Sequence, residues 1–385
     1  MPLSFLKRTF ISPLLEFIQD SRAVGVTLLV CTVLSLIISN SGWGNSYLSF
    51  WNTEVHLSHY LPHTIIHWIN DGLMAIFFFQ VGMEIKRELV DGELSSLKQS
   101  ILPVAGAFGG MLVPALIFTL FNSGTVYANG WGVPMATDIA FSLGIASLLG
   151  NRVPIALKIF LTALAIIDDL GAIVAIAVFY TSTIHLLYLF IGILVFAVLL
   201  LWTKLKLPFG FWNFLLGAAM WFCFFNSGVH ATIAGVLFAF TIPVKRLTEI
   251  EHSLHNYVNF LIIPIFALAN TAIHIPAGFI QHISNSLSLG IIFGLLVGKP
   301  VGIVFFCWLL VKLKLGQLAE GISWKHMIGL GLLAAIGFTM SIFISMLAFK
   351  DSFTQDISKM AVMVASVIAI ILGYAWFKFF IKEKQ

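Results

Sequence analysis

Long apolar runs, separated by short polar segments, repeat along the whole chain. They form about twelve segments of roughly 15 to 25 residues, each long enough as a helix to cross or nearly cross about 30 Å of hydrocarbon. We therefore predict an all-α polytopic membrane protein with about twelve transmembrane helices, which form one domain over residues 1–385. The predicted spans are 23–40, 64–84, 100–121, 133–148, 154–179, 184–202, 209–224, 228–243, 254–274, 287–311, 326–349 and 358–380.

The first twenty residues have a different, amphipathic pattern. Leu3, Leu6 and Phe10 recur at helical spacing, with Lys7 and Arg8 between them. An apolar stripe beside basic side chains is typical of a helix that lies on the membrane surface. We predict such a surface helix over residues 1–20, ahead of the first span.

One loop between the first two spans alternates loosely between aromatic and polar residues. Tyr47, Phe50 and Trp51 lie near Asn52 and Thr53 within this segment. Alternation of this kind favours short strands joined by a turn. We predict a small external β-hairpin over residues 45–58.

The charges support the membrane assignment and orient the chain. The sequence is 59% hydrophobic and only 10% charged, which is too apolar for one water-soluble core. With the N-terminus inside, most Lys and Arg residues fall in cytoplasmic loops, and the outside keeps only Lys350 and Lys359. This bias predicts a multi-pass protein of the bacterial inner membrane with both termini cytoplasmic. The basic residues are scattered, so nucleic-acid binding is excluded.

A short motif occurs twice, in spans that cross the membrane in opposite directions. Ile139–Ile145 matches Ile336–Ile342 position by position in residue class. Pro134 and Gly144 weaken the first copy as a continuous helix, and glycines loosen the second. We therefore predict inverted-topology repeats in which spans four and eleven are discontinuous, with an ion-binding site where the two interruptions meet.

Four ionisable residues lie near the middle of predicted spans: Asp138, Asp168, Asp169 and Lys299. Each costs at least about 2.5 to 3.5 kcal/mol to insert, so such residues usually have a function. Asp168 and Asp169 point about 100° apart on a helix and cannot face the same point. One of the two is expected to reach Asp138, and the other a cation such as Lys299.

Carboxylates brought together in this way suit a small hard cation. Oxygen ligands favour Na⁺, and the hydroxyl of Thr137 or carbonyls at the helix interruption would complete the shell with water. Neighbouring carboxylates in a low dielectric bind protons when the cation is absent. Competition between Na⁺ and H⁺ combined with alternating access predicts antiport, with no cofactor.

Seven motifs, found in order over essentially the whole chain, together resemble the NhaA family of bacterial Na⁺/H⁺ antiporters. Any one of them is weak, but the ordered set is highly specific. They are Asn70–Phe79, Val81–Leu89, Ala136–Phe141, Ala165–Ala172, Gly228–Thr232, Gly298–Pro300 and Ile336–Ile342.

The resemblance implies a fold, an activity and roles for named residues. It implies crossed broken helices in spans four and eleven, a homodimer held partly by the external hairpin, and electrogenic, pH-regulated exchange of Na⁺ or Li⁺ for more than one H⁺. It implies that such exchange controls cytoplasmic pH and sodium. Asp169 is then the principal ion-binding carboxylate, supported by Asp138, and Asp168 pairs with Lys299. The implied pH-sensing residues are Glu84, Arg87, Glu88, Glu251, His252 and His255.

Other membrane proteins share some of these features. A sodium-coupled symporter of an organic solute on a related fold is the main alternative, although it should carry an additional polar cavity. An intramembrane aspartyl protease needs a Gly-x-Gly-Asp motif, whereas Asp138 follows Met-Ala-Thr and Asp169 follows Ile-Ile-Asp. A passive channel is distinguished from a carrier only by transport against a gradient.

Overall fold

The computed structural model describes residues 23–181, 184–276 and 278–381, and most of them are helical. The predicted surface helix over residues 1–20 lies outside the described residues. The α-helices are α1 Ala23–Ser39, α2 Gly44–Trp51, α3 Ile65–Val90, α4 Leu97–Asn122, α5 Ile139–Leu148, α6 Ile155–Phe179, α7 Leu186–Lys204, α8 Phe211–Ser227, α9 Thr232–Thr241, α10 Val244–Tyr257, α11 Ile263–Asn270, α12 Phe279–Ile283, α13 Ser286–Lys312, α14 Trp324–Ala334, α15 Phe338–Ala348 and α16 Ser352–Phe380.

The number of membrane spans is lower by a strict test than the sequence predicts. Within the described residues, seven helical segments are long and apolar enough to cross a bilayer, or up to nine if two bent helix pairs each count as one span. The chain is therefore a multi-pass helical membrane protein. Each of the twelve predicted spans contains helix, but the count of twelve is not confirmed and stays a prediction.

The predicted hairpin over residues 45–58 is not confirmed. Residues 44–51 form α2, and the described part of the chain contains only an isolated antiparallel bridge between Glu54 and Thr64. Tyr47, Phe50 and Trp51 are spaced i, i+3 and i+4, which is also the spacing of one helix face. Trp51 is buried and Tyr47 is half-buried, so these two pack inwards from one helix face, whereas Phe50 is exposed.

Both predicted interruptions are present. In the fourth predicted span, a 3₁₀ segment at Ala128–Met135 is followed by three extended residues, 136–138, before α5 begins. In the eleventh, α14 and α15 are separated by residues 335–337 and bent by 49°. Their contacts with each other position the candidate site described below.

Small residues allow two helix pairs to approach unusually closely. In the pair α4 and α13, a Cβ on Gly109 would lie 2.3 Å from the carbonyl oxygen of Gly302. In the pair α3 and α9, a Cβ on Gly235 would lie 2.1 Å from the carbonyl oxygen of Ala75. Close approach through small residues is a common way to hold membrane helices together without a hydrophobic driving force.

Three π-helical turns widen helices at Trp68–Leu73, Val258–Ile262 and Gly294–Gly298. The second and third end just before Pro264 and Pro300. Proline has no N–H to donate and its ring crowds the carbonyl four residues earlier, so a wider turn before it relieves the clash. Lys299 directly follows the third of these π turns, and α13 continues through it.

Candidate functional site

The two helix interruptions meet, and one carboxylate caps both of the helices that start there. Asp138 Oδ1 accepts a hydrogen bond of 3.0 Å from the N–H of Phe141, in the first turn of α5. Asp138 Oδ2 accepts one of 3.0 Å from the N–H of Thr339, in the first turn of α15, and another from the Thr339 hydroxyl. The negative charge thus lies at two helix N-termini, where the helix dipoles favour it.

Two carbonyl groups, one near the end of α14 and one just after it, accept hydrogen bonds from the fourth predicted span. The Asp138 N–H donates to the carbonyl of Ile336 over 2.7 Å, and the Ser142 hydroxyl donates to that of Leu333 over 2.8 Å. The first bond satisfies a backbone acceptor within the break, and the second adds to the bond that the Leu333 carbonyl already accepts from the Ile336 N–H. The two broken spans therefore hold each other in register.

Lys299 and Asp168 form a fully buried ion pair beside the interruptions. Lys299 Nζ lies 2.9 Å from Asp168 Oδ2, and both side chains are 0% exposed. The same ammonium group donates to the carbonyl of Met135, at the end of the 3₁₀ segment. A cation at this C-terminal carbonyl end complements the carboxylate that caps the two N-termini.

Asp169 is buried next to this pair but is left largely without bonds. It is 1% exposed, and its Oδ1 has no hydrogen-bond partner among the described residues. Its carboxylate is electrostatically coupled to Asp168, Glu84, Asp138 and Lys299. A buried carboxylate without partners is costly, so this group needs a proton or a bound cation. We call residues 136–138 and 335–337, with Asp168, Asp169 and Lys299, the break centre.

The hydroxyl of the predicted ligand Thr137 is bonded to Asp168 and to the end of α14, and its role as an ion ligand stays a prediction. Thr137 Oγ1 lies 2.7 Å from Asp168 Oδ2 and 3.0 Å from the carbonyl oxygen of Ala334, so its proton is already engaged. In residues 23–181, 184–276 and 278–381, no three His, Cys, Asp or Glu side chains converge as a metal-binding group. The break centre offers Asp169 as its least engaged carboxylate, while Asp138 holds the helix ends.

The six residues predicted to sense pH, here called the charged cluster, lie at the end of α3 and along α10. Arg87 bridges the two helices, because its guanidinium is 2.8 Å from Glu251 Oε1 and 3.3 Å from Glu88 Oε1. Glu84 accepts a hydrogen bond of 3.1 Å from Gln80 and is electrostatically coupled to Glu251. Burial raises the pKa of Glu251, while the positive charge of Arg87 opposes that rise.

The two histidines of the charged cluster lie one turn apart on α10. Both are exposed, and the ring Nε2 of His255 is 3.0 Å from the amide nitrogen of Asn259. His252 is electrostatically coupled to both Glu251 and His255. All six predicted residues therefore lie in one region.

Sequence comparison places the chain among known transporters. The sequence profile described as Na⁺/H⁺ antiporter 1 matches residues 15–377. Na⁺/H⁺ antiporter NhaA 2 of Flavobacterium johnsoniae is 48% identical over 380 residues, which is 96% of this chain and 93% of the relative. The chain belongs to the NhaA family of Na⁺/H⁺ antiporters. The NhaA antiporter of Cytophaga hutchinsonii is 46% identical, with 96% and 95% covered.

The NhaA family assignment agrees with the ordered motifs, all of which fall within the matched residues. Two bonding residues were nevertheless absent from the predicted site. Thr339, which binds Asp138, and Ser142, which binds the end of α14, occupy equivalent positions in the repeated motif. The sequence signal that could have identified them is a hydroxyl residue at the same position in both copies of the motif.

Proposed function

We propose that this chain exchanges Na⁺ or Li⁺ for H⁺ by alternating access, with Asp169 as the carboxylate that binds either ion. The observation that carries the proposal is the difference between the three buried aspartates. Asp138 caps two helices. Asp168 is held through Oδ2 by Lys299 and Thr137, although its Oδ1 has no partner in the described part of the chain. Asp169 Oδ1 is also unpaired, and within the described residues no side chain forms an ion pair or hydrogen bond with the Asp169 carboxylate. Asp169 can therefore change ligands without dismantling the fold.

Competition at one carboxylate supports coupling between the two ions. In a low-dielectric setting an ionised carboxylate needs a compensating charge, which either a proton or a hard cation supplies. Asp169 would release its proton as Na⁺ arrives and take one up as Na⁺ leaves. If Asp168 or Lys299 also changes protonation, more than one H⁺ moves per Na⁺ and the exchange is electrogenic.

The orientation, the regulation and the assembly are parts of the same proposal. The excess of Lys and Arg in alternate loops supports cytoplasmic termini in a bacterial inner membrane. In that orientation the charged cluster lies at the cytoplasmic end, where its exposed histidines would respond to the cytoplasmic pH and regulate activity. We further propose a homodimer that uses the segment of residues 45–58, and a role in controlling cytoplasmic pH and sodium.

Everted membrane vesicles from an antiporter-deficient host test the exchange directly. The vesicles are acidified by respiration, Na⁺ is added at several pH values, and a fluorescent dye reports the internal pH. We expect Na⁺-dependent alkalinisation with the wild-type protein and its loss with Asp169→Asn, because an amide cannot exchange a proton for Na⁺. Repeating the assay with the membrane potential clamped tests whether the exchange moves net charge.

Asp351→Asn is the matched control, since Asp351 is an exposed N-cap of α16 far from the break centre. Its bond to the N–H of Thr354 can be made by an amide oxygen as well. Activity in this variant should equal that of the wild type. No Na⁺ response in vesicles with confirmed, folded wild-type protein would refute antiport. Alkalinisation that survives Asp169→Asn would refute the role of Asp169.

A further inference from the structure

An aromatic cluster lies one helical turn from the break centre, towards the end of the bundle that is predicted to face outwards. Phe78, Phe266 and Phe343, on α3, α11 and α15, are nearly fully buried. The ring centroid of Phe343 lies 5.2 Å from that of Phe78 and 6.3 Å from that of Phe266. Phe343 is one helical turn beyond Thr339, which binds Asp138, and therefore covers the site on this side.

A buried carboxamide with an unpaired oxygen lies just beyond the aromatic cluster. Asn270 is one turn further along α11 than Phe266 and is 0% exposed. Its Nδ2 donates to Asn70 Oδ1 over 2.9 Å and to the carbonyl of Phe266 over 3.0 Å. These two acceptors fix the orientation of the amide. Asn270 Oδ1 is then buried without a hydrogen-bond partner among the described residues.

Asn70, which accepts the hydrogen bond from Asn270, lies in the π turn of α3. The wide turn at Trp68–Leu73 carries Asn70, which is half-buried, and Asp71 next to it. The Trp221 indole donates to the Asp71 carbonyl over 2.8 Å, which ties the widened turn to α8. The carboxylate of Asp71 lies 3.1 Å from His67 Nε2 and places an acidic group in the same wide turn as Asn70. π turns of this kind are common at functional sites.

We propose that Asn270 Oδ1 and Asn70 Oδ1 form a second, outer site for the transported cation, on the opposite side of the aromatic cluster from Asp169. Amide oxygens and water are ligands for a hard monovalent cation, and both oxygens have a free lone pair. Asp71 attracts the cation electrostatically and leaves the amides to coordinate it. This inference rests on the proposed exchange of Na⁺ for H⁺.

An outer site predicts an effect on one side of the membrane only. Asn270→Leu keeps the shape of the side chain and removes the oxygen. The Na⁺ concentration for half-maximal exchange should rise about tenfold when Na⁺ is presented at the outer face of right-side-out vesicles, as for the loss of one ion contact. In everted vesicles, where Na⁺ meets the inner face, this concentration should change less than about twofold.

Asn122→Leu is the matched control. Asn122 is equally buried, donates to the carbonyls of Phe118 and Ser286, and also has an orphaned Oδ1, but it lies between α4 and α13. Asn122→Leu should leave the Na⁺ concentration for half-maximal exchange unchanged at both faces. If Asn270→Leu fails to fold, Asn70→Ala on the half-buried partner should give the same one-sided shift.

The outcomes separate the two hypotheses. Equal shifts on both faces, no shift, or the same behaviour in Asn122→Leu would overturn the outer site and leave a structural amide that binds only water. Wild-type and Asp169→Asn proteins in the same vesicles report on antiport itself. Exchange that is absent in the wild type would instead defeat the proposed function, whatever the asparagine variants do.

Discussion

The break centre and the charged cluster contain the same kinds of side chain in opposite settings. In the break centre, Lys299 and Asp168 are 0% exposed and are held by helix ends. In the charged cluster, the Arg87 side chain is 37% exposed and its bonds join two continuous helices. The first arrangement depends on dry packing. In the second, Arg87 and both histidines reach solvent, although Glu251 is buried. In the proposed function, the buried arrangement would bind the ion and the partly exposed one would sense pH.

The energetic consequence is that identical changes should cost very different amounts in the two regions. A buried charge that loses its partner keeps its full desolvation cost, whereas an exposed charge is solvated by water. Stability measurements on matched variants can therefore test whether the two regions differ as the structure indicates.

The largest effect on stability is expected from changes to the buried ion pair of Lys299 and Asp168. Lys299→Met leaves Asp168 without its counter-charge and should lower the free energy of unfolding by about 3–5 kcal/mol. Purified protein in detergent is compared by thermal unfolding at pH 8. The double variant Asp168→Asn/Lys299→Met removes both charges and should recover much of that loss.

Lys312→Met is the control for this experiment. Lys312 is the last residue of α13. It is exposed, and its Nζ lies 4.7 Å from the ring centroid of Trp308. An exposed contact of this kind contributes roughly 0.5–1 kcal/mol. A Lys299→Met protein no less stable than Lys312→Met would show that the break centre is wetter than its burial indicates.

A smaller loss of stability is expected from changes at the close contact between α4 and α13, the helix that carries Lys299. A Cβ on Gly302 would lie 2.1 Å from the carbonyl oxygen of Gly109. Gly302→Ala should therefore separate the helices and cost roughly 1–3 kcal/mol in thermal unfolding. In Gly25→Ala the new Cβ would come no closer than 3.7 Å to a neighbour, so alanine should be neutral or stabilising there. Equal melting temperatures for the two variants would contradict the close packing.

Sequence patterns predicted the break centre better than they predicted the local structure around it. Intramembrane charge is so costly that Asp138, Asp168, Asp169 and Lys299 stood out without a structure. The interruptions followed from proline and glycine in a repeated motif. A cation beside one of the aspartates was also expected, and Lys299 does pair with Asp168. The capping of both helices by Asp138 was not predictable, because it depends on the three-dimensional crossing of distant segments.

Short-range pattern was misleading where two periodicities coincide. The aromatic residues of segment 45–58 fit both a strand and a helix face, and packing against neighbouring helices decided between them. Tyr47 illustrates this, since its hydroxyl lies 3.1 Å from the carbonyl of Leu268 and from Ser35 Oγ. The orphaned oxygen of Asn270 was equally invisible, because an unpaired atom is a property of the whole packed structure.

The smallest expected effect is a pH dependence in the charged cluster. Burial raises the pKa of Glu251 above its ordinary value, so folding favours the protonated form. The stability this provides is present at pH below about 4, where the unfolded chain is also protonated, and is lost as the pH rises through the folded-state value. Glu251→Gln removes this titration. The melting temperature of the variant minus that of the wild type should therefore become more positive as the pH rises from 4 to 8.

The size of this shift should stay within about 1 kcal/mol, because the positive charge of Arg87 opposes the effect of burial and this ion pair is partly exposed on the Arg87 side. Glu249→Gln is the control, since Glu249 lies on the same helix with 67% of its side chain exposed. Its difference from the wild type should be flat over the same pH range. If the Glu251→Gln difference instead became more negative with rising pH, the Arg87 ion pair would outweigh burial. The charged cluster would then be held by its charges in the same way as the break centre.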